Sequence, residues 1–139
     1  MQQQSLVIKT KGRGFYKLDE LIHNELVDCE LTQGLCHLFV RHTSASLIVC
    51  ENADPSVRYD LEGFMSKLVV DGDPAFRHRA EGDDDMAAHI RSVLTATSLT
   101  LPILERTLAL GTWQSVYLWE HRTHSHTRSI LMTTWGVES

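Results

Sequence analysis

Three histidines are the first candidates for chemistry in this chain: His42 closing an apolar run, His78 within Phe76-Arg77-His78-Arg79, and His89 beside a helical stripe. Three neutral imidazoles with an open fourth position are a common way to hold zinc, and the open position accepts water or a substrate oxygen. A divalent metal, Zn or Mg, is the cofactor such a set implies. The three lie far apart in the chain, so spacing alone does not make them meet, and each could equally be a solvated or hydrogen-bonded side chain. Glu51 and Asn52 end an apolar strand, where they could ligate a hard cation or orient a ligating histidine. Asp54 reads first as a helix cap. Arg58, Arg77, Arg79 and Arg128 could grip an anion, because a guanidinium matches phosphate oxygens in pairs. Trp113 could stack on a substrate ring, although a core position suits it better. The run Asp83-Asp84-Asp85 could bind Mg, yet the positive end of a helix dipole explains it with fewer assumptions. The His124-x-His126 pair would share a face if extended, but it sits where a solvated hairpin loop is expected.

These residues need elements to position them. Leu6–Thr10 and Gly14–Tyr16 read as short strands around a Lys-Gly-Arg-Gly turn. Leu18, Leu21, Ile22 and Leu26 recur at helical spacing, predicting a first helix that ends near Asp28. Gly34 opens a strand to His42, and Ser46–Glu51 is a second, rich in aliphatic and β-branched residues. Asp54-Pro55 is the strongest local signal, a cap followed by the residue that needs no N–H in a first helical turn. Val57, Leu61, Phe64, Met65 and Leu68 then predict an amphipathic helix with that stripe buried. Val70–Asp85 reads as a loop. A further helix starts in the acidic run, with Met86, Ile90, Val93 and Leu94 as its expected buried stripe. The last third is strand-rich: Ser98–Ile103, Thr107–Leu110, Trp113–Glu120 and Arg128–Trp135. Strands and helices in this order point to an α+β fold with a largely antiparallel sheet and three helices, most simply one domain over residues 1–139.

Composition removes several classes. The formal net charge of -5 argues against a nucleic-acid protein. No stretch approaches the roughly 18 apolar residues of a membrane span, and the N-terminus lacks the basic start and apolar centre of a signal peptide. Cys29, Cys36 and Cys50 form no CxxC and cannot all pair, and two of them sit in apolar runs. A reduced, cytoplasmic setting is therefore expected. Neither a dinucleotide nor a P-loop glycine motif is present.

The segments "HTSASLIVCENADPSVRYDLEGF", "HRAEGDDDMAAHIRSVL", "TSLTLPI" and "LALGTWQSVYLWEHR" resemble, in order and spacing, the YjbQ family, and the likeness runs from about Gly14 to Gly136. The resemblance implies a large antiparallel sheet, a homotrimer and a weak thiamine-phosphate synthase activity. That reaction joins hydroxymethylpyrimidine diphosphate to thiazole phosphate and releases pyrophosphate. It also places His42, His78 and His89 on the family's histidine positions. Glu51, Asn52, Asp54, Arg58 and Asp60 fall on its E-N-x-D-P stretch, and Glu120 on the glutamate after G-T-W-Q. The expected site therefore has a metal on His42, His78 and His89, with Glu51, Asn52, Asp54 and Glu120 in catalysis. Arg58, Arg77, Trp113 and Arg128 would hold a small phosphorylated metabolite. Two rivals remain: a metal-dependent hydrolase of a phosphorylated or cyclic metabolite, and a non-enzymatic trimeric binding module for an anion. One stretch departs from the family pattern: His121 to Arg128 replaces a shorter D-G-P-R-x-R turn.

Overall fold

Strand alternation drives the architecture, because each of two sheets must bury one face and has only a few helices to cover the other. The computed structural model describes residues 1–138. Its elements are β1 (Gln2–Lys9), β2 (Gly14–Lys17), α1 (Asp19–Cys29), β3 (Leu31–Val40), β4 (Ala45–Glu51), α2 (Pro55–Leu68), α3 (Asp83–Leu94), β5 (Ser98–Leu104), β6 (Thr107–Leu108), β7 (Gln114–Glu120) and β8 (Thr127–Glu138). This is the predicted α+β class with three helices.

A five-stranded sheet runs in the order β1-β8-β3-β5-β6, and a three-stranded sheet in the order β2-β7-β4. Every pairing is antiparallel. Cys36, Leu38, Val40, Ile130 and Met132 of the larger sheet pack against Ala45, Leu47, Val116 and Leu118 of the smaller, with Ile22 and Leu26 of α1 beside them. The other face of the small sheet carries Trp119, which packs with Met65, Val69 and Ala87 of the α2–α3 layer. Side chains on a strand alternate between faces. Along β7, Val116 and Leu118 therefore enter the sandwich while Trp119 turns to the helices. Continuing that alternation sends Glu120 inward and His121 toward α3, which sets the site.

The helix stripes are where expectation and structure part. Asp54 caps α2 as predicted, accepting the Ser56 N–H at 2.9 Å. Of the predicted α2 stripe, however, only Met65 is buried, while Phe64 and Leu68 are exposed. In α3 the disagreement is larger. Val93 is 83% exposed, Leu94 is also exposed, and the buried face is Asp84, Asp85, Ala87, Ala88, Arg91 and Ser92. A helix can turn charged residues inward when partners wait there, and the partners here are Arg122 in the loop after β7 for the aspartates and Glu62 of α2 for Arg91.

Candidate functional site

Arg122, two residues beyond the end of β7, is the hub. Its Nε donates to Asp84 Oδ2 at 2.8 Å, its Nη1 lies 2.9 Å from Asp85 Oδ1, and its Nη2 donates to the Glu81 carbonyl at 3.0 Å. The Thr123 N–H also donates to Asp84 Oδ2 at 2.9 Å. The acidic run is thus not simply a dipole complement. Gly82 is the N-cap of α3, no side chain caps that helix, and two of the three aspartates turn inward onto a guanidinium. Gly82 has φ +107°, a conformation L side chains rarely adopt, so glycine is required there. Burial pushes the Asp84 carboxyl up, but the Arg122 and Thr123 hydrogen bonds and the Arg122 charge more than offset it and hold it at about 2.

With Oδ1 taken by Arg122, Asp85 presents Oδ2 to two histidines. His78, from the loop after α2, donates from Nε2 to it at 2.6 Å, and His89 Nε2, one turn further along α3, lies 3.3 Å away. The two rings meet edge to face with centroids 5.4 Å apart. One donor atom from each of His78, Asp85 and His89 lies within 4.8 Å of the others. Asp85 is the fixed member, its side chain 3% exposed, while His78 is 47% exposed. The cluster therefore has a rigid floor and an open face. Burial raises the Asp85 pKa, and the His78 and Glu81 side chains with the Arg122 charge lower it further, so it stays ionised.

The structure brings together His78 and His89 but leaves His42 elsewhere, which corrects the expected three-imidazole site. His42 Nε2 accepts the Ser129 backbone N–H at 2.8 Å. Burial, then the charge of Arg128, keeps its pKa below the ordinary value. The physical reason is topological. His42 follows β3 of the large sheet, where a backbone N–H of β8 claims its free nitrogen. Asp85, which the sequence offered as part of an acidic run read first as a dipole complement and second as a Mg site, stands beside the two histidines instead.

Glu120 and Arg128 pair with each other inside the sandwich. Arg128 Nε donates to Glu120 Oε1 at 2.8 Å, Arg128 Nη2 meets Oε2, and the Thr10 hydroxyl donates to Oε1 at 2.7 Å. Burial raises the Glu120 pKa, and the Arg128 and Thr10 hydrogen bonds outweigh it downward. The Arg122 backbone N–H donates to Glu120 Oε2 at 3.2 Å, so this pair backs the cluster without facing solvent. Neither residue is placed to touch a ligand.

Glu51, Asn52, Asp54, Arg58 and Trp113 gather at the other end of β4. That strand pairs Ala45 with Glu120 and Glu51 with Gln114, so about 20 Å of extended chain separates the two ends. Local contacts engage Glu51, Asn52, Asp54 and Arg58. Glu51 accepts the Ala53 and Asp54 N–H groups at 3.1 and 2.9 Å. Asn52 donates to the Thr112 and Gln114 carbonyls. Arg58 donates to the Glu51 carbonyl and lies 5.1 Å over the Tyr117 ring. Trp113 is 64% exposed, which overturns the core reading for it. Asp60 is exposed on α2. Arg79 folds back onto the Phe76 and Pro74 carbonyls. Arg77, next to His78, is exposed and makes no such bond among the described residues.

Sequence reasoning weighed the Asp83–Asp85 run as a Mg site but missed that Asp85 meets His78 and His89, and it missed Arg122. The available signal for Asp85 was its position four residues before His89, which places both on one helix face. Nothing local marked Arg122, because its role depends on β7 ending against α3.

The description "UPF0047 protein YjbQ-like" matches residues 4–137. A UPF0047 protein from Synechocystis is 48% identical over 134 residues, 96% of this chain and 91% of that one. The Escherichia coli protein YjbQ is 43% identical over 135 residues, 96% and 97% of the two chains. Among solved structures, a conserved hypothetical protein from Thermus thermophilus superposes with TM-score 0.85 at 33% identity, covering 95% of this chain and 99% of that one. A hypothetical protein from Aeropyrum pernix superposes with TM-score 0.88 at 25% identity, covering 99% and 100%. With the family description spanning nearly the whole chain, the paired antiparallel sheets and the α3 cluster belong to a member of the UPF0047 family of YjbQ-like proteins.

Proposed function

We propose that the protein is a metal-dependent enzyme acting on a small phosphorylated metabolite at the His78–Asp85–His89 cluster. The observation that carries this reading is the approach of two imidazoles to one ionised, arginine-held carboxylate on an open face. The donor set favours zinc over magnesium, the two metals expected from sequence. Two nitrogens and one carboxylate suit zinc, iron, cobalt or manganese, whereas Mg²⁺ keeps oxygen ligands and several waters. A metal held there would supply positive charge against a phosphate oxygen. His78 and His89 must present unprotonated nitrogens to it, so the His78 Nε2 contact to Asp85 would give way to metal ligation. Arg122 keeps Asp85 aimed by occupying its other oxygen. Arg77 is free to hold a second phosphate oxygen.

The thiamine-phosphate synthase-like reaction fits these parts. The thiazole nitrogen attacks the pyrimidine methylene carbon as the bond to pyrophosphate breaks, and the departing charge needs to be offset. No protein nucleophile is needed. The 2.6 Å His78–Asp85 contact favours a second reading, hydrolysis of a phosphate ester, since a carboxylate-oriented imidazole can take a proton from water. A homotrimer in the cytoplasm belongs to the same proposal. Exposed Leu35, Phe39 and Trp135 on the outer face of the large sheet support assembly. Among the described residues no helix is long and apolar enough to cross a membrane.

Elemental analysis of the purified protein, then assays of the zinc- and manganese-loaded and chelated forms, test this. Pyrimidine diphosphate plus thiazole phosphate, and separately a panel of phosphate esters, would be followed by mass spectrometry. Turnover lost on chelation and in His89→Ala is expected. Equal turnover in the chelated and loaded forms would refute the metal's part, and ligand-induced stabilisation without turnover would leave a binding module instead.

A further inference from the structure

We infer that Glu81 is a fourth, displaceable donor to the cation at the His78–Asp85–His89 cluster, and that an incoming phosphate takes its place. The inference rests on the metal reading above and gives a role to a residue to which neither the sequence reading nor the three-donor cluster assigned one. Glu81 Oε2 lies 3.8 Å from His78 Nε2. Tetrahedral coordination with bonds of about 2.0–2.2 Å sets donor atoms roughly 3.3–3.6 Å apart. The separations of 2.6 Å from His78 to Asp85, 3.3 Å from His89 to Asp85 and 3.8 Å from His78 to Glu81 bracket that spacing. His78, Asp85 and His89 already lie within 4.8 Å of one another, and rotation of the exposed Glu81 side chain about its own bonds would have to carry its oxygen to the fourth position.

The two carboxylates are held very differently. Asp85 is buried and its second oxygen belongs to Arg122. Glu81 has a fixed main chain, because its carbonyl accepts from Arg122 Nη2 at 3.0 Å and Gly82 turns the chain into α3 directly after it. Its side chain, however, is 65% exposed. A solvated carboxylate on a pinned backbone can reach the cluster and leave it by side-chain rotation, with no rearrangement of the main chain. Phosphate offers the same oxygen chemistry with more charge, and Arg77 stands exposed beside His78 to receive the remaining oxygens. The site would then be closed at rest and open only to an anion able to displace Glu81.

The test uses the full-length protein loaded with cobalt(II), whose visible absorption reports coordination number, and inorganic phosphate as the probe anion. Wild type should show the intense spectrum of a four-coordinate site, and phosphate should shift it in a saturable way. Glu81→Ala should bind cobalt and zinc roughly ten- to hundredfold more weakly, with a fainter spectrum and a higher affinity for phosphate, and Glu81→Gln should fall between. The metal-free variants should melt with wild type. Glu81→Ala retaining wild-type spectrum and affinity while His89→Ala loses the metal would overturn the Glu81 assignment alone. A wild-type spectrum indifferent to phosphate would overturn displacement. Failure of wild type to take up cobalt or zinc would remove the metal centre and this inference together.

Discussion

Arg122→Met should be the most damaging single change near the cluster that leaves both histidines in place. The guanidinium bridges two carboxylates, and Asp84 and Asp85 are only 8% and 2% exposed. Methionine fills similar volume but abandons both charges. Removing one partner of a buried ion pair costs about 3–5 kcal/mol. Arg122 and Asp84 keep some solvent contact, each side chain 11% exposed, which favours the lower part of that range. For a chain of this size roughly 3–4 kcal/mol corresponds to a fall of about 10 °C in melting temperature. The pH dependence supplies an independent check. Asp84 is depressed from 3.8 to about 2, and burial alone would have moved it the other way. A depressed carboxylate adds stability that is fully present above its unfolded pKa and lost as pH falls toward its folded one. After allowance for solvent screening that is about 1–2 kcal/mol. Urea unfolding of wild type and variant at pH 7, 5, 4 and 3 would measure the gap. It should be full at pH 7 and shrink as pH falls through the carboxylate range, where protonation relieves the unpaired aspartates of the variant and the wild-type bridge is lost. A gap under about 1 kcal/mol at pH 7, or one that does not change with pH, would refute the buried-bridge account.

Two further outcomes follow from the core. His121 is buried with Ser46 Oγ 2.8 Å from its Nε2, and burial followed by the charges of Arg91, Arg13 and Arg128 pulls its pKa from 6.5 to about 3. Between those values the unfolded chain binds a proton that the native one refuses, so stability should fall by up to about 1.4 kcal/mol per unit as pH drops below 6.5. His121→Gln should flatten that slope in urea titrations, and an unchanged slope would remove His121 as its source. Gly34→Ala tests the crossing of β3 and β8, since a Cβ there would lie 2.1 Å from the Trp135 carbonyl. Thermal melting should show a loss of about 1–3 kcal/mol or more, and a neutral substitution would mean the two strands can part without cost.

The sequence by itself determined the elements. Apolar, β-branched runs marked β3, β4, β7 and β8, Asp54-Pro55 opened α2 at its observed first residue, and helical spacing placed α1 and α3 within a residue or two. Those signals are local, so they survive without knowledge of the partners. It also nominated His78 and His89. What only the tertiary structure decided was which faces and which residues meet. Hydrophobic spacing predicted Val93 and Leu94 inside α3, yet Asp85 and Arg91 lie there because Arg122 and Glu62 come from elsewhere to receive them. His42 and Glu51, close in sequence and expected to share a pocket edge, are held at opposite ends of one strand. A charge moves inward only when its counter-charge is already waiting, and that condition is set by the crossing of distant segments.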